Sequence, residues 1–318
     1  MDELTIGNKH RRKPIVAAIL SFIVTGLGYV YCGRIVKGLF ASFIGMIFVP
    51  IVTFAILAKL SRVNMVIIGV STLISLLVWL GAIIDSYYIA KHTRPDYELK
   101  EYNRWYVYVI FMFVITICAK QIVLDIKSNL IEAFRVPTLS MYPAIEYHDR
   151  FLANKKAYKH DDPKRGDIIV FASPENRNEV WCKRVVAVAG DIVEVKDHQL
   201  LINGEKLERE SQGRTTYIDK DPNKKEVKVE GELLIEKNGQ AEYTVFLTDI
   251  YDSKSFPKHW ADFPETKVPK NHCFVLGDNR DLSGDSRHFG PVPLATVKGR
   301  AEYLYWPAKG WSRIGEMK

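Results

Sequence analysis

The strongest constraint on the fold of this chain is a change of composition close to residue 124. Residues 14 to about 124 are dominated by Ile, Val, Leu, Phe and Ala, whereas the rest of the 318-residue chain is polar, charged and rich in turn-forming residues. This split predicts a membrane region joined to a water-soluble domain. The predicted boundaries are residues 1–124 for the membrane region and 125–318 for the soluble domain.

Three apolar stretches are long enough to cross a bilayer as helices, which takes about 20 residues. They are predicted as spans at about residues 38–58, 63–84 and 105–124. An earlier apolar run at residues 14–24 is shorter and stops at the sequence TGLGY. A short run followed by a glycine-rich aromatic turn is typical of a re-entrant or interfacial segment, here about residues 14–32, although a short fourth span fits its length equally well.

The distribution of basic residues favours the three-span topology. Lys and Arg are dense at residues 9–13, 34–37 and 91–104, whereas the loop at 59–62 carries only two. Since cytoplasmic loops are enriched in Lys and Arg, the dense regions are expected in the cytoplasm if the first segment does not cross. Three spans then place the C-terminal domain on the outer, periplasmic or extracytoplasmic side of a bacterial inner membrane.

Two other interpretations of the basic, apolar N-terminus are less well supported. A cleavable signal peptide over residues 9–30 would need a small-x-small cleavage site, and TGLGYVYC is a poor match. The net charge of +7 could also indicate nucleic-acid binding. No basic helix with interleaved aromatic residues accompanies this charge, so a lipid bilayer is predicted as a partner and nucleic acid is not.

The soluble domain has the sequence pattern of a mainly β fold. A helix-like stretch at 125–134 precedes short apolar runs with hairpin signals at Asn203-Gly204 and Asn238-Gly239. Frequent strands with few helices between them predict an antiparallel, barrel-like β domain, in which the more polar residues 198–270 form an inserted β subdomain. Strands are predicted at residues 149–152, 168–171, 180–188, 192–195, 200–202, 227–229, 233–235 and 243–247.

The cysteines carry no metal or redox signature, because none of the four belongs to a CxxC pair. Cys32 and Cys118 fall in apolar segments, where a thiol acts as a small hydrophobic group. A disulfide between Cys182 and Cys273 depends on whether their strands are neighbours, which the sequence leaves open.

Ser140, within the sequence PTLSMYP, is the leading candidate for a nucleophile. A serine hydroxyl needs an adjacent base, most often histidine, and only His288, which follows an Asp-Ser-Arg cluster, is a serious candidate. The sequence has no GxSxG or HExxH motif and no SxxK motif beginning at Ser140, so zinc and common histidine-based hydrolases are poorly supported. Five other histidines lack a supporting acid motif: His148, His160, His198, His259 and His272.

Lys183, within the sequence WCKRVVAV, is the other candidate base. On a strand Lys183 shares a face with Trp181 and Val185, while Arg184 points the opposite way with Val186. Removal from water disfavours the charged ammonium and would leave an amine able to accept a proton. A solvent-facing lysine on an edge strand is the commoner case for such a block alone. The serine-containing block favours the catalytic interpretation.

Four sequence blocks in a fixed order resemble those of type I signal peptidases. They are PTLSMYP (137–143), RGDIIVF (165–171), KRVVAVAGD (183–191) and GDNRDLSGDSR (277–287). The resemblance covers the soluble domain from about residue 134 to 300. It implies a membrane-anchored serine endopeptidase with a Ser/Lys dyad, which cleaves N-terminal signal peptides from exported preproteins at the membrane surface without a cofactor or metal.

The resemblance implies a role for each matching residue. Ser140 matches the nucleophile and Lys183 the general base. Thr138 matches a hydroxyl residue of the oxyanion hole, whose other donor is the Ser140 backbone N–H. Ser283 matches the serine that orients the lysine. The remaining matches are expected to support the site: Asp278 paired with Arg184, Asp285 paired with Arg287, and Gly277.

The implied partners are signal-peptide-bearing preproteins and the lipid bilayer, with the secretion translocon as a further candidate. Thr138 replaces the commoner serine, Ala189 stands where proline often precedes Gly-Asp, and the membrane region is longer than the usual one or two spans. Apolar residues near the serine are expected to rest on lipid: Phe134, Val136, Met141 and Tyr142.

Other functional classes fit less well. A self-cleaving repressor-type protease would carry a DNA-binding domain where this chain has apolar spans. A β module that binds partners without catalysis would be favoured by loss of Ser140 or Lys183, and both are present. A separate binding or assembly role for the membrane region stays open.

Overall fold

The computed structural model describes residues 12–56, 62–93, 103–219, 227–249 and 262–317. The described chain forms two compact units, which divide between Leu130 and Ile131. The N-terminal unit is helical and comprises α1 (Pro14–Ile23), α2 (Leu27–Tyr31), α3 (Ile35–Ile56), α4 (Arg62–His92) and α5 (Trp105–Asn129).

Glycines allow the first helices of the N-terminal unit to pack at backbone distance. Gly26, in the turn between α1 and α2, has a φ of +96°, which side chains other than glycine rarely adopt. A Cβ on Gly26 would lie 2.1 Å from the carbonyl oxygen of Gly38 in α3, and one on Gly28 would lie 2.2 Å from that of Ala17 in α1. The Gly-Leu-Gly sequence is therefore required by the packing of α1, α2 and α3.

Two helices in the described residues are long and apolar enough to cross a membrane, over Gly69–His92 and Trp105–Ile122. They overlap two of the three predicted spans. The third predicted span, at 38–58, coincides with α3 as far as α3 extends, but residues 57–61 and the side chains beyond Gly45 lie outside the described part of the chain. α1, by contrast, has ten residues and a length of about 15 Å, half the thickness of a hydrocarbon core.

The described part of the C-terminal unit consists of strands, one short α-helix and two single-turn 3-10 helices, Leu294–Thr296 and Trp311–Arg313. The strands and the α-helix are β1 (Ile131–Arg135), β2 (Arg150–Asn154), β3 (Ile168–Ala172), β4 (Val180–Val188), β5 (Ile192–Lys196), β6 (Gln199–Ile202), β7 (Glu205–Lys206), β8 (Glu208–Asp219), β9 (Val227–Asn238), β10 (Ala241–Thr248), β11 (Phe263–Lys267), β12 (His272–Leu276), α6 (Ser286–Phe289), β13 (Val292–Pro293), β14 (Val297–Trp306) and β15 (Gly315–Glu316). The main sheet has the order β1-β2-β14-β3-β4-β12-β13, with β15 also paired to β14. Two smaller sheets have the orders β11-β5-β6-β7 and β10-β9-β8.

The predicted fold class is confirmed: an N-terminal helical region precedes a mainly antiparallel β domain. Among the described strands the main sheet stays open, with β1 and β13 at its two ends. The domain is therefore barrel-like without being a closed barrel.

The central strands of the main sheet are buried on both faces. Ile168 and Val170 of β3 belong to one apolar cluster, and Ile169 and Phe171 belong to another. β4 pairs with β3 along the same stretch and is buried over most of its length. Polar side chains on β4 must therefore find their partners within the protein, because water reaches few of them.

Both Asn-Gly sequences mark hairpins, as predicted. Asn203 and Gly204 form the two-residue loop between β6 and β7, with φ values of +55° and +82°, as a type I′ turn requires. Gly239, with a φ of +65°, lies in the loop between β9 and β10. The sequence pattern does not predict β8, because ERESQGRTTYID is polar at most positions, but β8 pairs with β9 along its whole length.

The helix-like pattern at 125–134 ends earlier than predicted. α5 ends at Asn129 and Ile131–Arg135 is a strand, so the prediction of helix as far as Phe134 is wrong. The spacing of the apolar residues here is compatible with either structure over so short a stretch. Pairing with β2 decides it, because Phe134 lies opposite Phe151 with 5.6 Å between the ring centroids.

Cys182 and Cys273 do not form a disulfide; both are free. Their strands β4 and β12 are neighbours, but Cys273 lies opposite Val188 at the far end of β4. Cys182 lies opposite Val170 of β3. The register of the sheet therefore keeps the two thiols apart.

Candidate active site

Ser140 lies in a turn after β1 that is held by backbone hydrogen bonds and by a buried side chain. The Tyr142 N–H donates to the Leu139 carbonyl at 3.0 Å, and the Ile145 N–H donates to the Met141 carbonyl at 2.9 Å. Met141 is fully buried in an apolar cluster, whereas Ser140 is partly exposed. The turn therefore presents the serine while the next residue holds it in the core.

The expectation that four apolar residues near Ser140 rest on lipid is wrong for two of them. Val136 and Met141 are buried in the core of the unit. Phe134 is half-buried against that core, and Tyr142 is half-buried with its ring centroid 4.7 Å from that of Tyr217. Packing within the protein accounts for the apolar character of this segment.

Lys183 reaches Ser140 from β4. Its Nζ donates a hydrogen bond to the Ser140 Oγ at 2.6 Å, and the lysine is only 5% exposed. No carboxylate lies within ion-pair distance of Lys183 in the described part of the chain. Desolvation lowers the pKa of Lys183 and outweighs the charges of Asp285 and Asp278, which act in the opposite direction. Burial therefore favours the neutral amine beside the serine hydroxyl.

Arg184, the next residue of β4, is paired with a carboxylate. Its Nε and Nη2 each lie 2.7 Å from an Asp278 oxygen, and both side chains are almost completely buried. Its Nη1 donates to the Gly166 carbonyl at 2.7 Å, and the guanidinium lies 4.4 Å from the centre of the Tyr243 ring. This bidentate pair fastens the start of the 277–287 block to β4.

Asp285 fastens the other end of that block. Its carboxylate accepts hydrogen bonds from Arg287 at 2.9 and 2.8 Å and from the Gly277 N–H at 3.1 Å. Desolvation raises the pKa of Asp285. The charge and hydrogen bonds of Arg287 outweigh this effect and bring the pKa below its ordinary value. Arg287 also donates to the Arg280 carbonyl. One carboxylate therefore ties together both ends of the block.

Gly277 lies between Ser140 and Ser283. A Cβ at this position would lie 2.2 Å from the Ser283 Oγ and 2.4 Å from the Ser140 carbonyl oxygen, so a side chain here would displace the serine turn. Ser283 is buried, and its Oγ has no hydrogen-bond partner among the described residues. The predicted hydrogen bond from Ser283 to Lys183 is therefore not formed; the lysine donates to Ser140 instead.

Two residues that the sequence analysis does not single out hold the serine turn. The Asn279 N–H donates to the Ser140 carbonyl at 3.2 Å. The Asn279 side-chain amide donates to the Leu139 carbonyl at 3.1 Å and to the Tyr217 hydroxyl at 2.9 Å. Asn279 lies within the GDNRD sequence, which is a signal that could have identified it. Tyr217 lies in the polar strand β8, where no sequence pattern distinguishes it.

A buried carboxylate, also unforeseen, ties the same block to the β8–β10 sheet. Glu236 of β9 accepts hydrogen bonds from Arg280 at 2.7 and 2.6 Å, from Arg209 at 2.9 Å and from the Tyr243 hydroxyl at 3.1 Å. Desolvation raises the pKa of Glu236, but the two arginines outweigh this effect and bring the pKa down to about 2. Since Arg280 directly follows Asn279, this network supports the segment that holds the serine turn.

A cleft of about 560 Å³ lies beside Ser140 and Lys183. Its walls come mainly from residues 134–140 and 179–183, and most of its side chains are apolar. β1 is an end strand of the main sheet, and β4 pairs with β12 only from Arg184 onward. Both walls therefore offer strand edges that no other described strand occupies.

Two hydrogen-bond donors adjoin the serine. The Thr138 Oγ1 lies 3.2 Å from the Ser140 Oγ and lines the cleft. The Ser140 N–H donates to no acceptor within the described ranges. Both groups lie where donors would be needed to bind an oxygen atom that develops negative charge next to the nucleophile.

No histidine of the described residues lines this cleft. His288 is exposed, and its N–H donates to the Asp285 carbonyl at 2.8 Å. The Nδ1 of His198 lies 3.2 Å from an oxygen of Asp281, a carboxylate neighbour that the sequence did not reveal. No group of three His, Cys, Asp or Glu side chains suited to a metal ion occurs in the residues that the structure describes.

Comparison with known proteins agrees with the sequence blocks. The family described as signal peptidase, peptidase S26, matches residues 104–306. The chain belongs to this signal peptidase family. Signal peptidase I of Pseudomonas fluorescens is 31% identical over 252 residues, covering 69% of this chain and 80% of that protein. Signal peptidase I of Leptolyngbya laminosa is 32% identical over 201 residues, covering 61% and 76% respectively.

A crystal structure of a signal peptidase I from Enterococcus faecalis V583 is also similar, with 29% sequence identity, a TM-score of 0.25 and coverage of 44% of this chain and 97% of that chain. Family membership makes this signal peptidase a serine peptidase that acts on signal-peptide-bearing preproteins. Together with the two apolar helices, it also makes the chain a membrane-anchored enzyme.

Proposed function

We propose that this signal peptidase uses Ser140 as its nucleophile and Lys183 as its general base. The observation that carries the proposal is the 2.6 Å contact between the Ser140 Oγ and the Lys183 Nζ, in surroundings that lower the pKa of the lysine. The neutral amine takes the hydroxyl proton as Oγ attacks the scissile carbonyl, and the proton then passes to the leaving amine. Water, activated by the same lysine, hydrolyses the acyl-enzyme and releases the serine.

The oxyanion of each tetrahedral intermediate is bound by the Thr138 hydroxyl and the Ser140 N–H. Both donors adjoin the nucleophile, and the hydroxyl lies 3.2 Å from the Ser140 Oγ. Removal of one such donor typically costs about 3 kcal/mol in the transition state. Thr138→Val, which keeps the shape of the side chain, should therefore lower kcat roughly a hundred-fold and leave KM nearly unchanged.

The charged pairs and Gly277 hold this geometry. Arg184 with Asp278 and Asp285 with Arg287 fasten the 277–287 block, and Gly277 lets that block approach the carbonyl of the nucleophile. Ser283, buried on the other side of Gly277, takes the predicted orienting role only if the lysine turns away from the serine during the cycle.

The preprotein binds as an extended chain in the cleft. The edges of β1 and of the start of β4 that no other described strand occupies support this proposal, because an extended peptide can pair with a strand edge through its backbone. The apolar lining favours uncharged side chains, and the family resemblance implies small residues at the cleavage positions. Binding through the backbone would allow preproteins of different sequence to share one site.

We further propose that cleavage takes place on the outer surface of the membrane, in an enzyme with three spans. The charge distribution between the apolar segments supports this topology, and Ser140 follows soon after the end of α5. The secretion translocon stays a predicted partner on the same side. A reporter fused after Asn129 that is active only outside the cytoplasm tests this topology; activity of a cytoplasmic reporter would contradict it.

The catalytic proposal is tested by preprotein cleavage with purified full-length enzyme in detergent. The wild type should cut after a small-x-small sequence, whereas Ser140→Ala and Lys183→Ala should be inactive with unchanged circular dichroism. Lys206→Ala, which changes an exposed lysine on β7, is the matched control and should cut normally. Cleavage by Lys183→Ala would show that the base is misassigned. A wild type inactive on several preproteins would favour a module that only binds.

A further inference from the structure

A second cavity, of about 490 Å³, lies within the N-terminal unit. It is lined by residues 32–34, which connect α2 to α3, and by the last turn of α4 with Thr93. The apolar helix Gly69–His92 ends at this cavity, and α3 begins beside it. The cavity therefore lies where apolar helix surface gives way to polar residues, a position typical of the lipid head-group layer.

Arg34 brings a positive charge to this cavity, where it acts on the nearby Asp85 carboxylate through space but forms no ion pair with it. Lys37 of α3 is already paired: its Nζ lies 2.5 Å from the carboxylate of Asp85, which also accepts a hydrogen bond from Tyr29 at 2.8 Å. Arg34, by contrast, makes no side-chain hydrogen bond or ion pair with any described residue, and it is exposed. A guanidinium keeps its charge and can form bidentate hydrogen bonds to phosphate oxygens, so Arg34 is suited to bind an anion.

His92 lies on the opposite wall of the cavity. Its Nδ1 lies 2.8 Å from the Tyr88 carbonyl oxygen, so this nitrogen carries the proton in the hydrogen bond. The ring also stacks on Tyr88, with 6.5 Å between centroids. These contacts fix the orientation of the imidazole and leave its Nε2 without a partner among the described residues. The cavity therefore combines one fixed ring with one guanidinium.

The surfaces next to the cavity favour a lipid over a free anion. Val36 and Phe40 of α3 are 77% and 65% exposed, and Ile84 and Tyr88 of α4 are 56% and 53% exposed. Acyl chains attached to a phosphate in the cavity would lie along these apolar side chains, whereas inorganic phosphate would gain nothing from them. We propose that this cavity binds the phosphate head group of an anionic phospholipid, with Arg34 as its principal ligand. The proposal does not depend on the catalytic roles assigned above.

The test measures lipid retention by native mass spectrometry of the full-length enzyme in detergent, titrated with phosphatidylglycerol. Arg34→Gln should weaken phosphatidylglycerol binding about ten-fold, the effect of losing a hydrogen-bonded charge. Lys91→Gln is the matched control, because Lys91 is exposed in the same turn of α4 and does not line the cavity. It should bind within two-fold of the wild type. Arg34→Lys, which keeps the charge, should restore part of the affinity.

Phosphatidylcholine and inorganic phosphate distinguish the source of the anion. Both should bind at least ten-fold more weakly than phosphatidylglycerol, because one carries no net charge and the other has no acyl chains. Equal losses in Arg34→Gln and Lys91→Gln would show diffuse surface attraction and overturn the proposal, as would full competition by an equal concentration of inorganic phosphate. The circular dichroism of Arg34→Gln in detergent should match that of the wild type, which shows that the helices of the N-terminal unit are folded.

Discussion

β4 carries two consecutive buried basic residues, Lys183 and Arg184, on opposite faces of the strand. The cost of burying a positive charge is met differently on each face. Arg184 is held by Asp278 through two hydrogen bonds of 2.7 Å. Lys183 contacts the Ser140 hydroxyl at 2.6 Å and has no carboxylate within ion-pair distance in the described chain. A guanidinium cannot lose its proton in a protein and must be paired when buried, whereas an amine can be deprotonated. One strand therefore uses pairing for structure on one face and deprotonation for chemistry on the other.

Lys183→Arg tests this comparison most directly, and of the predicted changes in kcat it should cause the largest. The substitution keeps a cation beside Ser140 but removes the ability to lose a proton at accessible pH. A general base typically contributes 10²–10⁴-fold, so we expect kcat for preprotein cleavage to fall by about 10³-fold or more. An Arg variant that retains a tenth of the activity would show that charge alone, rather than proton transfer, is needed here.

The pH profile of the wild type checks the same point. Because the neutral amine is the active form and burial lowers its pKa, cleavage should rise with pH through a value below the ordinary 10.4 of lysine and fall as the amine protonates at lower pH. The folded enzyme should also gain stability with rising pH over this interval, since the unfolded chain binds the extra proton. A rate that falls with rising pH in this range would contradict the assignment of Lys183 as base.

Replacing each basic residue by methionine should change stability in opposite directions. Arg184→Met leaves the buried Asp278 carboxylate without its partner and should lower the free energy of unfolding by about 3–5 kcal/mol. Lys183→Met removes an amine that is costly to bury, and it should raise the free energy of unfolding by about 1 kcal/mol while abolishing activity. Urea unfolding of both variants at pH 7 measures this. Destabilisation of equal size in both would mean that Lys183 is held by an ion pair after all.

Features that depend on a short run of residues could be predicted from the sequence, whereas features that depend on a distant partner could not. The Ser140 and Lys183 blocks were recognisable because each role depends on a short run of residues, and the Asn-Gly hairpins because a type I′ turn depends on two. Glu236 was not recognisable, since its importance comes from Arg280, which lies 44 residues further along the chain in the turn after β12. The strand at Ile131–Arg135 was mispredicted for the same reason, because its partner β2 decides its conformation.

Glu236→Gln extends the comparison to a third buried charge that is neutralised by pairing. The pKa of Glu236 is lowered to about 2, so its contribution to stability is fully present above the ordinary value of about 4.3 and is lost as the pH falls towards 2. The variant should be less stable by about 2 kcal/mol at pH 7. Its free energy of unfolding should also decrease less steeply between pH 4.5 and 2 than that of the wild type. Identical acid limbs in the two proteins would mean that the network does not hold Glu236 ionised.

Tyr217→Phe tests whether a hydrogen bond two residues removed from Ser140 affects the rate of cleavage. Its effect should be the smallest of those predicted. The Tyr217 hydroxyl accepts a hydrogen bond from Asn279, which in turn holds the carbonyls of Leu139 and Ser140. Loss of one such bond typically costs about 1 kcal/mol. We expect kcat to fall about five-fold with KM unchanged, because the serine turn loosens while the cleft keeps its lining.

Tyr303→Phe is the control for that variant, since Tyr303 is a buried tyrosine of β14 whose hydroxyl makes no hydrogen bond to any described residue. A purely structural role for Tyr217 would lower stability and leave kcat per folded enzyme the same as in the control. A selective loss of kcat would instead show that the β8–β10 sheet positions the nucleophile. The polar strand β8 would then belong to the catalytic machinery through one hydroxyl, at the end of a relay that reaches Ser140 only through Asn279.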